Sequence, residues 1–595
     1  MFETRPVDGR HNTLYRFGTN EMSTKERDSK YIGEDIVKHS KSVNVIRPAL
    51  LTLLMGLIGV SAYALPTDAH GVAEGHPNQK SIGIYVGSEL TDDGSTLLGG
   101  FGHEPSSHWI EIVPRQEHPE GATWEVGVTE NARIPGELIE IPQAETTYKH
   151  ISSHYSEFAG FPPPLTNGGL NEHGVAARDI WAPSRDELWD MSEEAAPQRG
   201  PQYSDLARAA MERATTAREA VEVVGGLIDE HGFSTYGGNS HLFADENEGW
   251  VFINYAGNQD LWAAERLGSD EIRVSYFGYI HDFPVDHENH DDFMASDNLI
   301  DFVEEQGWWD GEGDTLNLQD VLGTPFPADA TDDPDFYTEA RNPPEREAEL
   351  EDMAPISLED MIAYVRDPRW STDFAGYGQV AHLRPDAHPE MQTLWTAITS
   401  SVTTPFVPIP IAAESVPPEF SQHRYMTMDA SSHFLDPDYS HLEATRYATR
   451  TFKRLLYYTA EHPLEFLRPV TGEIEVFEEE LIDERAALEA EAQQLFDAGS
   501  DEAARELVTG NVHERLIDSL YLGEDLVREV ERRTREELGG IRMPEGEQVE
   551  GNTAPATSQH MAREGWGAMV HTYHEDLDEY PREHGIYEDY GDLLD

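Results

Sequence analysis

SIGIYVG at residues 81–87, continued by SELTDDGSTLLGGFG at 88–102, is the stretch on which the reading of the fold turns. Ile82, Ile84 and Val86 alternate along it and share one face of a strand. Asp93-Gly94 supplies a turn, and the apolar run Thr96-Leu97-Leu98 gives the return strand of a hairpin. Gly99, Gly100 and Gly102 then surround Phe101, which an ordinary strand does not need and which permits close backbone approach.

Working outward, residues 160–185 (GFPPPLTNGGLNEHGVAARDIWAPSR) read as a structured loop with a short strand at Val175-Ala176. Residues 217–230 read as a helix: Thr216 and Glu219 form a capping box, Val221, Val224, Leu227 and Ile228 give the apolar stripe, and His231-Gly232 ends it. Strands are expected at 250–255 and 261–266. Strands, helix, then strands imply mixed α and β elements layered around a sheet. The acidic, Pro-rich stretch from Pro327 to Pro355 has no apolar period and reads as a surface insertion without core. Beyond Gly472 the pattern turns helical, with Ile474, Leu481, Leu488 and Leu495 every seven residues and a second helix after Ser500. Four such positions are too few for a coiled coil, so packing on the main body is expected.

The chain has 595 residues, with 42 Lys and Arg against 113 Asp and Glu, a formal charge of −71. That surface repels phosphates and anionic lipid, which argues against nucleic-acid binding. Disorder is not the reading, because 38% of residues are apolar and 11 Trp, 24 Tyr and 22 Phe can fill a core. After Lys80 the lysines are Lys149 and Lys453 alone, and this acidic, Arg-retaining pattern reads as a surface suited to molar salt. Cysteine is absent, which excludes disulfides and any thiolate nucleophile or ligand.

Residues 1–48 carry nine Lys or Arg against seven Asp or Glu and precede the uncharged run 49–65, which contains LLTLLMGLIGV and ends near Ala62-Tyr63-Ala64. A basic segment, an apolar run and small residues at a cleavage point are the pattern of an export signal; an uncleaved membrane anchor and a buried helix are the alternatives, and Met22 is an alternative start. The expected location is outside the cell or on the outer face of its membrane.

No phosphate loop, HExxH helix or GxSxG elbow is present. HDFPVDHENHDD at 281–292 lacks a recognisable metal-ligand spacing and reads as a solvated acidic loop. Ser81 is the sharper candidate. A serine that becomes the first residue of a processed chain has its own α-amine, with a pKa of about 8, as the base for its hydroxyl.

SIGIYVGSELTDDGST, EPSSHW, FPPPLTNGGLNEHGVAARDIWAPSR, MERATTAREAVEVVG, TYGGNSHLFADENEGWVFI, YGQVAHLR and PPEFSQHRYMT together resemble the secreted dipeptidase family of N-terminal-nucleophile hydrolases. The resemblance covers most of residues 81–540. It implies an α+β fold, the four-layer αββα sandwich of those hydrolases, over 81–472, with a helical extension at 473–542; the acidic, Gly-containing composition beyond it reads as a tail at 543–595. It also implies a propeptide at 66–80, removed between Lys80 and Ser81.

The implied function is an exported dipeptidase that needs no cofactor or metal and takes dipeptides. An amidase acting on small acyl amides and a non-catalytic surface protein are the alternatives. Ser81 stands where the family usually has Cys, and Asn171 and Asn239 match asparagines that help hold the substrate carbonyl. The chain departs from the pattern where relatives carry Arg and, three residues on, Asp: here stand Gly100 and His103, and His103 is the candidate proton-handling substitute.

Overall fold

The computed structural model describes residues 81–538, except 103–106, 157–159, 276–277, 325–342, 369–370, 372–375 and 423–445. The segments at 1–80 and 543–595, with the signal or anchor run, the propeptide and the tail, lie outside the described residues, as do His103 and the RYMT motif at 424–427. Among the described residues no helix is long and apolar enough to cross a membrane.

The architecture is α+β. The strands of the two main sheets are, in chain order, β1 (Ile82–Val86), β2 (Thr96–Phe101), β3 (His108–Val113), β4 (His150–Tyr155), β5 (Leu165–Asn171), β6 (Ala176–Trp181), β7 (Asn239–Ala244), β8 (Gly249–Asn254), β9 (Trp262–Leu267), β10 (Ile272–Ser275), β11 (Phe293–Ala295), β12 (Gly378–Leu383), β13 (Thr393–Ala397) and β14 (Val407–Pro410). A six-stranded sheet has the order β10-β1-β2-β12-β13-β14, and an eight-stranded sheet the order β11-β9-β8-β7-β6-β5-β4-β3. The paired strands in both are antiparallel.

The expected hairpin is β1–β2, with Ile82 opposite Phe101 and Val86 opposite Leu97. Its two faces do different work. The face of Ile82 and Ile84 meets a helix, since Gly99, the partner of Ile84, is so close to Met361 that a Cβ there would lie 2.6 Å from its Cε. The face of Gly83 and Tyr85 meets the eight-stranded sheet: a Cβ at Gly83 would lie 2.7 Å from Ile180 Cδ1 and 2.8 Å from Leu242 Cδ1. Burial on both faces explains why every residue of β1 is buried.

Helices α1 (Tyr203–Arg213) and α2 (Ala217–His231) pack on the eight-stranded sheet, α1 against β5 and β6 and α2 against β7 and β8. Helices α3 (Pro343–Met353) and α4 (Leu358–Arg366) pack on the six-stranded sheet, α3 against β10 and α4 against β2 and β12. In α2 the Thr216 hydroxyl accepts the Glu219 N–H as expected, but the Glu219 carboxylate accepts the N–H of Thr215, one residue before the position a capping box uses.

Three expectations need correction. The loop read across 160–175 contains strand β5, which runs through Gly168 and Gly169. Neighbouring backbones leave no room for a side chain there: a Cβ at Gly168 would lie 2.1 Å from the Ala177 carbonyl oxygen, and one at Gly169 1.9 Å from that of Ile151. The stretch ending at Pro355 holds helix α3, whose Leu350 is fully buried in the main core. Burying Leu350 contributes about 2 kcal/mol, and Glu347 of the same helix accepts the Val274 N–H of β10 at 2.9 Å.

Last, the helical extension begins before Gly472. After α5 (Ala448–Glu461), helix α6 runs from Pro463 through Pro469 and Gly472 to Asp497, and α7 (Asp501–Glu537) returns. Pro463 is tolerated in the first turn, where the missing N–H has no intrahelical partner. Phe466, Val470 and Ile474 make a buried stripe against Val527 and Val530.

Candidate active site around Ser81

Ser81 stands at the start of β1 and is 5% exposed. Its Oγ accepts the backbone N–H of Trp181, the last residue of β6, at 3.2 Å. One sheet thus supplies the hydroxyl and the other a backbone donor aimed at it. Sequence reasoning missed Trp181 because what it contributes is an N–H, which carries no side-chain signature.

Asn239 stands directly across from Trp181 in the β6/β7 ladder, with the two Cβ atoms about 5 Å apart on one face of the sheet. It is fully buried. Its Nδ2 donates to Asp179 Oδ1 (2.5 Å) and to the Tyr236 hydroxyl (3.3 Å), while its Oδ1 has no partner among the described residues. Asp179 lies on the same face of β6 as Trp181, opposite His241 of β7.

Burial holds the His241 imidazole well below its usual range, at about 4, against a smaller opposing effect from the Tyr203 carbonyl. The ring is therefore neutral near pH 7, Nε2 carries the proton it gives to Tyr203 O (3.2 Å), and its 3.5 Å approach to Asp179 is a polar contact rather than an ion pair.

Asn171 does not share this place. It ends β5, and its neighbour Leu170 is opposite Ala176, at the other end of β6 from Trp181, about 16 Å away at the rise of a strand. Its side chain is committed to backbone: Nδ2 donates to Met211 O (3.1 Å) and Ala214 O (2.8 Å), and Oδ1 accepts from the N–H groups of His173 and Val175, both at 3.0 Å. These bonds tie the β5–β6 turn to the end of α1, so Asn171 caps a loop here.

The departure at Gly100 has a backbone cause. Gly100 has φ +146°, and a Cβ on it would lie 2.1 Å from the Ile82 carbonyl oxygen, so position 100 carries no side chain of any kind. A cation reaches the same side of the sheet from across the core. Arg178 of β6 is fully buried, with its guanidinium 4.6 Å from the centre of the Tyr377 ring. Tyr377 also accepts the Asn167 N–H on its hydroxyl (3.0 Å).

The 281–292 segment is far simpler. His287 to Asn289 form an exposed turn, and His290 Nε2 reaches Asp286 Oδ1 at 3.1 Å. No cluster of metal-ligating side chains occurs among the described residues.

A buried hydroxyl at a strand start, a backbone donor on it and an amide across the ladder form an arrangement suited to acyl transfer. Comparison with known families agrees in kind: residues 169–342, which carry Arg178, Trp181 and Asn239, match the model of Peptidase family C69, and the match supports a peptidase.

Proposed function

We propose that the protein is an exported dipeptidase with Ser81 as its N-terminal nucleophile. The observation that carries this reading is the Trp181 N–H on Ser81 Oγ, with Asn239 directly opposite Trp181. The two packed sheets with helices on each are what the four-layer αββα sandwich of N-terminal-nucleophile hydrolases would require.

After removal of residues up to Lys80, the Ser81 α-amine takes the hydroxyl proton as Oγ bonds to the scissile carbonyl carbon. The carbonyl oxygen becomes the oxyanion, held by the Trp181 N–H and, once its side chain turns from Asp179, by Asn239 Nδ2. The ammonium returns its proton to the leaving amine as the C–N bond breaks. Water then attacks the ester carbon while the amine takes its proton, and the ammonium returns that proton to Oγ as the C–Oγ bond breaks, releasing the acid and free Ser81. No cofactor enters these steps.

Export would use the run 49–65, either cleaved or kept as an anchor, and the acidic surface would suit concentrated salt. A non-catalytic relative is the second reading, favoured by the bare backbone at Gly100.

The test is intact mass and amino-terminal sequencing of the exported protein in molar salt, followed by dipeptide and acyl-amide turnover by wild type and Ser81→Ala. A mature chain starting at Ser81, with dipeptide turnover that the variant lacks, supports the proposal. A chain that keeps residues before Ser81 while cleaving dipeptides, or turnover that survives in Ser81→Ala, overturns it, and turnover of acyl amides alone selects the amidase.

A further inference from the structure

We infer that Asn254 is a positioning residue for Asn239: its Nδ2 donates to Asn239 Oδ1 when Asn239 turns its own Nδ2 to the oxyanion. This rests on the Ser81 reading and adds to it a residue that touches neither Ser81 nor the substrate.

The register of three neighbouring strands puts the groups in one row. Trp181 of β6 is opposite Asn239 of β7, and Asn239 is opposite Asn254 of β8. Residues directly opposite share a face of the sheet, with Cβ atoms about 5 Å apart. Asn239 therefore has Trp181, whose N–H is on Ser81 Oγ, on one flank and Asn254 on the other. Asn239 opens β7 and Asn254 closes β8, so the pair stands at the same end of the hairpin.

Asn254 is 1% exposed, and neither its Oδ1 nor its Nδ2 has a hydrogen-bond partner among the described residues. Its surroundings favour an apolar side chain: Phe252 lies two residues before it on the same face and Trp262 directly opposite on β9, both in one apolar cluster. A buried amide with neither end bonded opposes folding, and such groups are rare unless they serve another state of the protein. Asn239 Oδ1 is likewise buried without a partner among the described residues. One rung of the ladder thus holds an unspent donor and an unspent acceptor on adjacent strands.

The planar amide decides how they meet. It carries nitrogen and oxygen on opposite sides of its carbon, and Asn239 Nδ2 is spent on Asp179 Oδ1 of β6. Its Oδ1 is therefore turned towards β8. Asp179 and Trp181 are two residues apart on β6, so moving Nδ2 to an oxyanion at the Trp181 N–H carries it along that strand and leaves Oδ1 on the flank of Asn254. The bond from Asn254 offsets the one given up to Asp179. Because it forms with the turned amide, it favours the transition state over the resting site, which is what raises kcat.

A double-mutant cycle tests this in the full-length exported protein. Dipeptide turnover per folded site is measured in molar salt for wild type, Asn254→Leu, Asn239→Ala and the double variant. Asn254→Leu, which has as many side-chain heavy atoms as Asn and no donor, is expected to lower kcat about tenfold, the worth of one neutral hydrogen bond. KM should stay within about twofold, since Asn239 acts on charge that develops in the transition state. In the Asn239→Ala background the same change should lower kcat no further. A kcat within about twofold of wild type in Asn254→Leu, a loss carried by KM, or an equal loss with and without Asn239 overturns the inference. If Asn254→Leu does not fold, Asn254→Ala takes its place in the cycle. Ser81→Ala, assayed beside these, separates the two readings. Loss of turnover in Ser81→Ala with wild-type kcat in Asn254→Leu overturns this inference alone; turnover that survives in Ser81→Ala, or is absent from wild type, overturns the Ser81 reading and this inference with it.

Discussion

Asn239 faces Trp181 across the β6/β7 ladder, and Trp181 in turn gives its N–H to Ser81 Oγ at 3.2 Å, whereas Asn171 sits at the far end of β6 with both ends of its side chain bonded to backbone. Two asparagines that look alike in the sequence should therefore fail in different ways. Asn239→Ala is expected to lower kcat by about 10² to 10³, the usual loss for one oxyanion donor, beside a stability loss of about 1 to 3 kcal/mol from the bonds it gives up to Asp179 and Tyr236. Asn171→Ala removes four hydrogen bonds to buried backbone and should lower stability by about 2 to 4 kcal/mol while leaving kcat of the folded fraction unchanged. Denaturant unfolding and active-site-normalised turnover of both variants check this; a large kcat loss in Asn171→Ala with normal stability would reverse the assignment.

Gly100 tests the backbone argument directly. With φ +146° and the Ile82 carbonyl 2.1 Å from the built Cβ, Gly100→Ala should cost more than about 3 kcal/mol or prevent folding. Gly94 in the β1–β2 turn also has positive φ, at +76°, but nothing lies within 4 Å of its Cβ, so Gly94→Ala should cost only about 1 to 2 kcal/mol of left-handed strain. Equal losses in the two variants, measured in the same salt, would mean that strain and not the clash governs position 100.

The hairpin containing these glycines was legible from alternation because Ile82 and Ile84 face helix α4 while Gly83 and Tyr85 face the other sheet. Strand β5 was not, because what fits it between β4 and β6 is the lack of side chains at Gly168 and Gly169, and two adjacent glycines in sequence read as a turn. Within the site, Ser81 follows from the chemistry of a terminal amine, and Asn239 only from the resemblance. Trp181 offers a backbone N–H, so no local side-chain pattern marks its position.

The buried pair Arg366–Glu478 joins α4 to α6, with Glu478 also accepting the Phe406 N–H at 2.6 Å and Arg366 Nε donating to Ser401 O at 3.0 Å. Both side chains are almost fully buried. Removing one partner strands a charge, so Glu478→Gln should lower stability by about 3 to 5 kcal/mol. The bidentate Arg384–Glu489 pair, from the residue after β12 to α6, is less deeply buried, and Glu489→Gln should cost about 1 to 2 kcal/mol. Comparable losses in the two unfolding curves would show that burial does not set the strength of the first pair.

Asp205 gives a stability signature in pH. Its carboxylate caps α1 by accepting the N–H groups of Gln202 and Gly127, yet burial, outweighing those bonds, raises its pKa from 3.8 to about 7. Between these values the folded chain holds a proton that the unfolded chain has lost, so this group's contribution falls as pH rises from about 4 to about 7 and is level above. Asp205→Asn keeps an oxygen for both N–H groups without the charge. The variant should match wild type near pH 4 and be the more stable by pH 8, with the gap growing by about 1.4 kcal/mol per unit of pKa displacement. A gap that does not change with pH would place the Asp205 carboxyl near its ordinary value.

Salt dependence follows from the charge of −71. At about 0.1 M salt the screening length is about 10 Å, so neighbouring carboxylates on the surface repel one another; at about 1 M it is about 3 Å and most of that repulsion is gone. Exposed ion pairs such as Arg199–Glu137 weaken over the same range, but such a pair contributes under about 1 kcal/mol, and 42 basic groups cannot balance 113 acidic ones. Repulsion therefore wins, and the melting temperature should rise steeply between about 0.1 and 1 M KCl and flatten once the screening length falls below the spacing of surface charges. Thermal scans over that series at fixed pH check it. A melting temperature that is flat or falls as salt increases would mean that the ion pairs outweigh the excess acid, and the proposed fit to concentrated salt would be wrong.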